Sequence, residues 1–139
     1  MGKRIIQQRR GRGTVTYRAH SHRWLTEVKY RGLDDIEKNS SITGEIIDLL
    51  HSSGHSAPIA LIKYSNGEKV YMFAPEGVRV KDSLESGIKA EIKKGNTLPL
   101  KNLPEGTLVY SIEANPGDGG KLCRASGVSA KVISHLSDG

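Results

Sequence analysis

The chain has 139 residues, with 21 Lys and Arg against 15 Asp and Glu and only 5% aromatic residues. That length makes one domain or two small ones, sixteen Gly suit a turn-rich all-β protein, and a single Cys excludes a disulfide framework or multi-cysteine zinc site. No apolar run approaches the ~20 residues that span a bilayer, and none follows the basic N-terminus as in a secretory signal; the expectation is a soluble, cytoplasmic protein with no membrane partner.

The charge is concentrated at the start. Residues 1–31 hold nine bases, Lys3, Arg4, Arg9, Arg10, Arg12, Arg18, Arg23, Lys29 and Arg31, and one acid, Glu27, a net +8. The remaining residues hold twelve bases and fourteen acids, so the whole excess lies in this arm. Such a distribution presents a basic arm to a polyanion. The arm has no helical apolar stripe and no long alternation, and it carries little apolar surface to bury. It reads either as a solvated tail or targeting signal, or as an extension that orders on nucleic acid. Two features favour nucleic acid. The bases are mostly Arg, whose planar fork pairs with phosphate and stacks on bases. They also alternate with Tyr17, His20, His22, Trp24 and Tyr30, planar groups able to stack on splayed nucleotides. The arm is expected to be disordered alone and extended along RNA when bound. The run Asp34, Asp35 and Glu37 after it reads as a solvated linker.

From Ser41 the texture changes to short β-like runs. Ile42–Leu50 is rich in Ile and Leu, and His51–His55 breaks it. Ala57–Tyr64 and Lys69–Ala74 flank Asn66-Gly67, which predicts a hairpin with a type I′ turn. Ser86–Lys93 alternates Ile88, Ala90 and Ile92 with charged residues and predicts a half-buried strand. A turn at Gly95-Asn96 leads into Thr97–Leu100. About five strands in sixty residues predict a small closed Greek-key barrel of the OB type, with minimal helix. A second unit starts near Pro104, with strands expected over Thr107–Ala114, Lys121–Ala125 and Val128–His135 and a turn at Ser137–Gly139. Two or three strands cannot cover their own face, so the C-terminus reads as a truncation.

The glycine loop Asn115–Gly120 fails as a phosphate motif of nucleotide enzymes. Asn115 stands where a P-loop needs glycine, and Leu122 stands where a P-loop needs Ser or Thr and a dinucleotide fingerprint its third glycine. It reads as a plain turn or as bare amides, flanked by Lys121 and Arg124, approaching RNA phosphates. The histidines lack paired Cys and the spacing of a metal site, so no metal is expected; His20 and His22 read as RNA contacts. Cys123, between bases but without a partner base, reads as a small strand residue packed inward. No catalytic constellation and no cofactor site appear, and no small-molecule substrate is expected.

Several segments together resemble one family: G-K-R-I-I-Q-Q-R-R-G-R-G-T with Y-R-A-H-S-H-R in the arm, A-P-E-G at 74–77, G-N-T-L-P-L at 95–100, L-P-E-G-T at 103–107 and P-G-D-G-G-K-L-C-R-A-S-G-V at 116–128. In order and across nearly the whole chain, they resemble large-subunit ribosomal protein L-two in its archaeal or eukaryotic-like form. The resemblance implies an all-β chain with a basic extension at 1–36, a five-stranded OB-fold at 37–103 and the start of an SH3-like barrel at 104–139. It implies a structural, non-enzymatic role: binding large-subunit rRNA, aiding subunit assembly and association, contacting neighbouring ribosomal proteins and supporting the peptidyl-transferase region. RNA contacts are expected at Lys3, Arg4, Arg9, Arg10, Arg12, Arg18, His20, His22, Arg23, Trp24, Lys121 and Arg124, the last held rigidly enough to read RNA shape. The family's remaining barrel and its C-terminal tail have no counterpart in this sequence.

Two other readings compete. A free-standing OB-fold single-strand binder would display aromatics on its barrel, yet residues 41–103 hold only Tyr64, Tyr71 and Phe73. An enzyme carrying an OB-fold module would need the catalytic constellation that is missing.

Overall fold

Alternation along β1 (Ser41–Leu50) sends Ile42, Gly44 and Ile46 into the core and Thr43 and Glu45 to solvent. The structure, a computed structural model, describes residues 2, 5, 7, 10 and 12–136. β1 pairs antiparallel with both β2 (Ile59–Tyr64) and β4 (Ser83–Gly87), and β2 pairs with β3 (Lys69–Phe73), giving the sheet order β3-β2-β1-β4. Gly44 stands opposite Tyr64, where an added Cβ would sit 2.8 Å from Ile62 Cγ2. Only glycine lets the two strands carry those large side chains across from it. A bulge between Ile46 and Asp48 then shifts the register and turns Ile47 outward.

The sheet is buried on two faces. Ile42, Ile46, Ala60, Ile62, Tyr64, Val70, Met72 and Leu84 form the larger core. Ile59 and Phe73 point the other way and pack with Ala57 and with Val28, which comes from the basic arm. Fully burying a side chain such as Ile46, Ile59 or Ile62 contributes about 1.5–3 kcal/mol each. The arm also reaches the open edge of the sheet, where the Lys29 amide donates to the Tyr71 carbonyl at 3.1 Å. That contact covers part of an edge strand that would otherwise invite foreign pairing. The expectation that residues 1–31 have little to bury therefore fails in their last third.

The all-β expectation holds, since α1 (Asp35–Asn39) is the only α-helix among the described residues. The hairpin β2–β3 is where Asn-Gly placed it, but the turn differs. Asn66 is not among the residues with positive φ, whereas Gly67 has φ +87°. The Gly67 amide donates to Tyr64 O and the Tyr64 amide to Glu68 O, both at 2.9 Å. The loop is thus longer than a two-residue type I′ turn, and Asn66 serves through its side chain, accepting from the Glu68 amide.

The fourth strand lies over Ser83–Gly87, not Ser86–Lys93. Asn96 decides this: its Oδ1 accepts from the Glu85 amide and its Nδ2 donates to Glu91 O, both at 2.9 Å, folding the intervening residues into turns. Ile92 is left exposed, so the alternation there had no buried face behind it. The expected fifth strand reduces to one parallel bridge, Ser86 to Thr97. Among the described residues the ladder is a four-stranded sheet, not a closed five-stranded barrel.

The C-terminal unit is sparser still. Its three expected strands reduce to β5 (Leu108–Val109) paired with β6 (Ala130–Lys131), plus a bridge between Ile112 and Leu122. Leu108, Leu122, Ile133 and Leu136 stay exposed, so few side chains anchor longer pairing. Cys123 is half-buried at φ +53°, outside any strand, which corrects its reading as an inward strand residue. The turn expected at 137–139 lies outside the described residues.

Candidate nucleic-acid interface

The basic arm divides into two parts. Arg10, Arg12, Arg18, His20, His22 and Arg23 are all exposed, and none of the arginines is paired with a carboxylate among the described residues. Arg10 Nε donates to Tyr17 Oη at 3.2 Å and its guanidinium lies 5.4 Å from that ring's centroid. His20 and His22 meet edge to face at 5.7 Å, and Ser21–Arg23 form a single 3-10 turn. Lys3, Arg4 and Arg9 lie outside the described residues.

Arg31 is used in the opposite way. Its side chain is 3% exposed and clasps Asp34 bidentately at 3.1 and 2.7 Å. It also reaches Glu37 and Glu68, each at 3.2 Å, and lies over the Tyr64 ring at 5.5 Å. Asp34 caps α1 by accepting from the Glu37 amide at 3.0 Å, and Glu37 accepts from Ser86 Oγ of β4 at 2.6 Å. One guanidinium thus ties the arm to α1, the β2–β3 turn and, through Glu37, β4. Chiefly because of Arg31, the Asp34 carboxyl is held down to about 2. The acidic run is consequently no solvated linker. Asp34-x-x-Glu37 is the spacing of a capping box, a signal present in the sequence that would have nominated a helix start there.

Trp24 begins the anchored part. Its indole lies on Gly54, where an added Cβ would come within 2.0 Å of Trp24 Cδ1, and on the His55 ring at 5.2 Å. His55 meets Phe73 at 5.5 Å, and Arg124 covers Phe73 at 4.9 Å. Burial first, then the Arg124 charge, push the His55 pKa down and favour the neutral ring. The fold therefore brings together Trp24 and Arg124, a hundred residues apart in sequence, through two residues that sequence reading left unassigned. His55 has no local signal for this role; only the pairing of β2 with β3 places Phe73 beside it.

Arg124 is a tether as much as a base. Its Nη2 donates to Val28 O at 3.3 Å, and the neighbouring Ser126 amide donates to Ser56 Oγ at 3.1 Å. Its guanidinium plane is already engaged by Phe73, which fits a held group more than a loose surface charge. Lys121 is exposed. Two of the glycine loop's amides are already taken. Gly117 and Gly119 donate theirs to the Glu113 carboxylate at 3.0 and 2.9 Å, so an internal anion fills the position a phosphate would take. The loop's glycines serve packing instead: at Gly119 a Cβ would press on Lys29, and at Gly120 on Ser111. Tyr30 completes that contact, its hydroxyl donating to Ser111 O at 2.7 Å, and burial raises its pKa.

Fold and site together define a small β-sheet protein whose basic extension is anchored to the sheet in its second half and exposed, without carboxylate partners among the described residues, in its first. The comparisons place it further. A family profile described as "Ribosomal Proteins L2, RNA binding N-terminal domain" matches residues 2–86, and one described as "Ribosomal Proteins L2, C-terminal domain" matches residues 93–139. The chain belongs to the ribosomal protein L2 family. The "Large ribosomal subunit protein uL2" of Methanosphaera stadtmanae is 53% identical over 138 residues, covering 99% of this chain and 57% of that protein. The protein of the same name from Methanothermobacter thermautotrophicus is 51% identical over 138 residues, with the same coverage. That of Methanococcus vannielii is 53% identical over 135 residues, covering 97% of this chain and 57% of the relative. The chain therefore spans about 57% of the length of these relatives, and none of the three names describes an enzyme.

Proposed function

We propose that this chain is a structural constituent of the large ribosomal subunit, in the cytoplasm, that binds large-subunit rRNA through its basic arm. One observation carries the reading. The fold neutralises Lys29 with Glu27 and Arg31 with three carboxylates, yet provides no carboxylate among the described residues for Arg10, Arg12, Arg18 or Arg23. Four exposed arginines in one short stretch repel each other unless a polyanion neutralises them. Lys3, Arg4, Arg9, His20, His22 and Lys121 extend the same surface on this reading, with Trp24 at the root of the arm. Through it, on this reading, the protein would aid subunit assembly and association, meet neighbouring ribosomal proteins and support the peptidyl-transferase region.

The test is the salt dependence of binding to large-subunit rRNA. If about six bases meet phosphates, log affinity should fall against log salt with a slope of roughly −4 to −5. A slope near zero would overturn the proposal. A free-standing single-strand binder is disfavoured because Tyr64 and Phe73 are buried in the sheet cores and leave Tyr71, itself partly buried, as the one remaining aromatic of the sheet region; association with intact large-subunit particles through a high-salt wash separates the two.

A further inference from the structure

We propose that Trp24 is a preorganised platform on which one unpaired RNA base stacks, set in place by the loop Ser52–His55. The inference rests on the RNA-binding reading above and adds to it the site and the ligand class. Trp24 is 45% exposed although it is the largest apolar side chain in the protein. An indole left half in water without restraint would be mobile, but this one is held from both sides of the backbone. Ser53 Oγ donates to Arg23 O at 3.1 Å, and the Leu25 amide donates to Ser52 Oγ at 3.2 Å. Ser52 is almost fully buried, and its hydroxyl is fixed in turn by His55 Nδ1 at 2.9 Å.

Gly54 is what lets the indole lie on this loop, since any larger residue would collide with it. His55 backs the ring at 5.2 Å and is itself backed by Phe73 and Arg124. One side of the indole is thus applied to protein while the rest is open to solvent. A planar group immobilised before binding gives up little freedom when a base stacks on it.

Charge selects the partner. Arg18, His20, His22 and Arg23 directly precede Trp24 and are exposed, and Glu27 is the sole acid in the first thirty-one residues. An apolar protein surface would gain nothing from those bases. A nucleotide supplies both the π-face for the indole and the phosphate for the arginines. Duplex RNA hides its base faces in the stack, so the ligand is a single-stranded or bulged segment with a splayed base.

Trp24 is the only tryptophan beside five tyrosines, so emission excited at the red edge, where tyrosine does not absorb, reports on it alone. The whole chain is titrated with a mixed-sequence single-stranded RNA, with a duplex of equal length and with inorganic polyphosphate, while binding is followed separately by anisotropy or competition. Single-stranded RNA is expected to quench the emission strongly, the duplex weakly and polyphosphate not at all. Trp24→Leu keeps an apolar contact on Gly54 but has no π-face, and should weaken single-strand binding by about tenfold while leaving polyphosphate binding unchanged. Trp24→Tyr should restore most of the loss. His55→Ala, with Trp24 in place, should reduce single-strand affinity and quenching together. If single-stranded RNA binds with no more quenching than polyphosphate, or Trp24→Leu binds as the parent does, the platform is wrong while the RNA-binding reading stands. Failure of the parent to bind any RNA would instead overturn that reading. Quenching by an acidic polypeptide but not by RNA would assign the platform to a protein partner and overturn the inference.

Discussion

Residues 10–23 and residues 24–34 belong to one basic run, and the fold treats them oppositely. In the first stretch four arginines stand exposed with no carboxylate partner among the described residues, and no side chain reaches the sheet core. In the second, Val28 completes a core cluster, Lys29 bonds the edge of β3, Tyr30 reaches Ser111 and Arg31 is enclosed by Asp34, Glu37 and Glu68. Residues 10–23 hold four Arg, whereas residues 24–34 hold one, Arg31, among Trp24, Leu25, Val28, Tyr30 and Leu33, but composition does not say which base is enclosed. What separates them is whether carboxylates lie within reach once the chain has folded. An arginine with partners becomes a structural bolt; one without them becomes available to an external anion.

The sharpest way to break this division is to cut the chain at its boundary. Removing residues 2–23 should leave the melting temperature nearly unchanged, whereas removing residues 2–31 takes away Val28 and Arg31 and should abolish cooperative unfolding. Equal melting of the two truncations would mean that the anchored stretch anchors nothing.

Next in size is Arg31 alone. Arg31→Ala strands Glu37, which is 7% exposed, and should cost about 3–5 kcal/mol in denaturant unfolding, as removal of one partner of a buried pair does. Arg31→Met keeps most of the volume but also strands the carboxylates, so it should cost nearly as much. The arginines of the outer stretch should behave otherwise. Arg12→Ala or Arg18→Ala should shift stability by less than about 0.5 kcal/mol and instead flatten the salt dependence of RNA binding by roughly 0.7–0.9 units each. A stability loss at Arg12 comparable to that at Arg31 would erase the comparison.

The smallest effect concerns acid. The Asp34 carboxyl is held down to about 2 from an ordinary 3.8, first by Arg31 and then by the Glu37 amide. Because its folded value lies below its unfolded value, its stabilisation is complete above about pH 4 and fades as pH falls toward 2. Asp34→Asn should therefore flatten the acid limb of the stability profile in that window and leave neutral pH less stable by the lost ion pair. An unchanged acid limb would show that the Arg31–Asp34 contact carries no net energy.

The excess charge of the arm and part of the fold were legible from local pattern. Arg9 to Arg23 read as a polyanion-binding arm because unbalanced charge needs no fold to be recognised. Asn66-Gly67 marked a hairpin because the turn chemistry is local, and β1 to β3 followed their apolar runs. The reading of Ser86–Lys93 failed because alternation shows only that a strand could be half-buried; Asn96, by folding that segment onto Glu85 and Glu91, removed the face it would have covered. The glycine loop misled for a related reason. Its bare amides were visible in sequence, but the Glu113 carboxylate that takes up two of them is placed by the loop's own three-dimensional path.

By itself the sequence determined the all-β class, the position of the charge and the family likeness, since each is a property of residues near one another along the chain. The tertiary structure alone decided which bases are buried and which are open. It also decided that Trp24, His55, Phe73 and Arg124 stand in one array and that the acidic run closes on Arg31. The array joins segments far apart in sequence, and Arg31, though near Asp34 and Glu37 along the chain, is enclosed only because the β2–β3 turn brings Glu68 to it. The energies of these contacts depend on distances of a few ångströms and on exclusion of water, and neither is written in the order of residues.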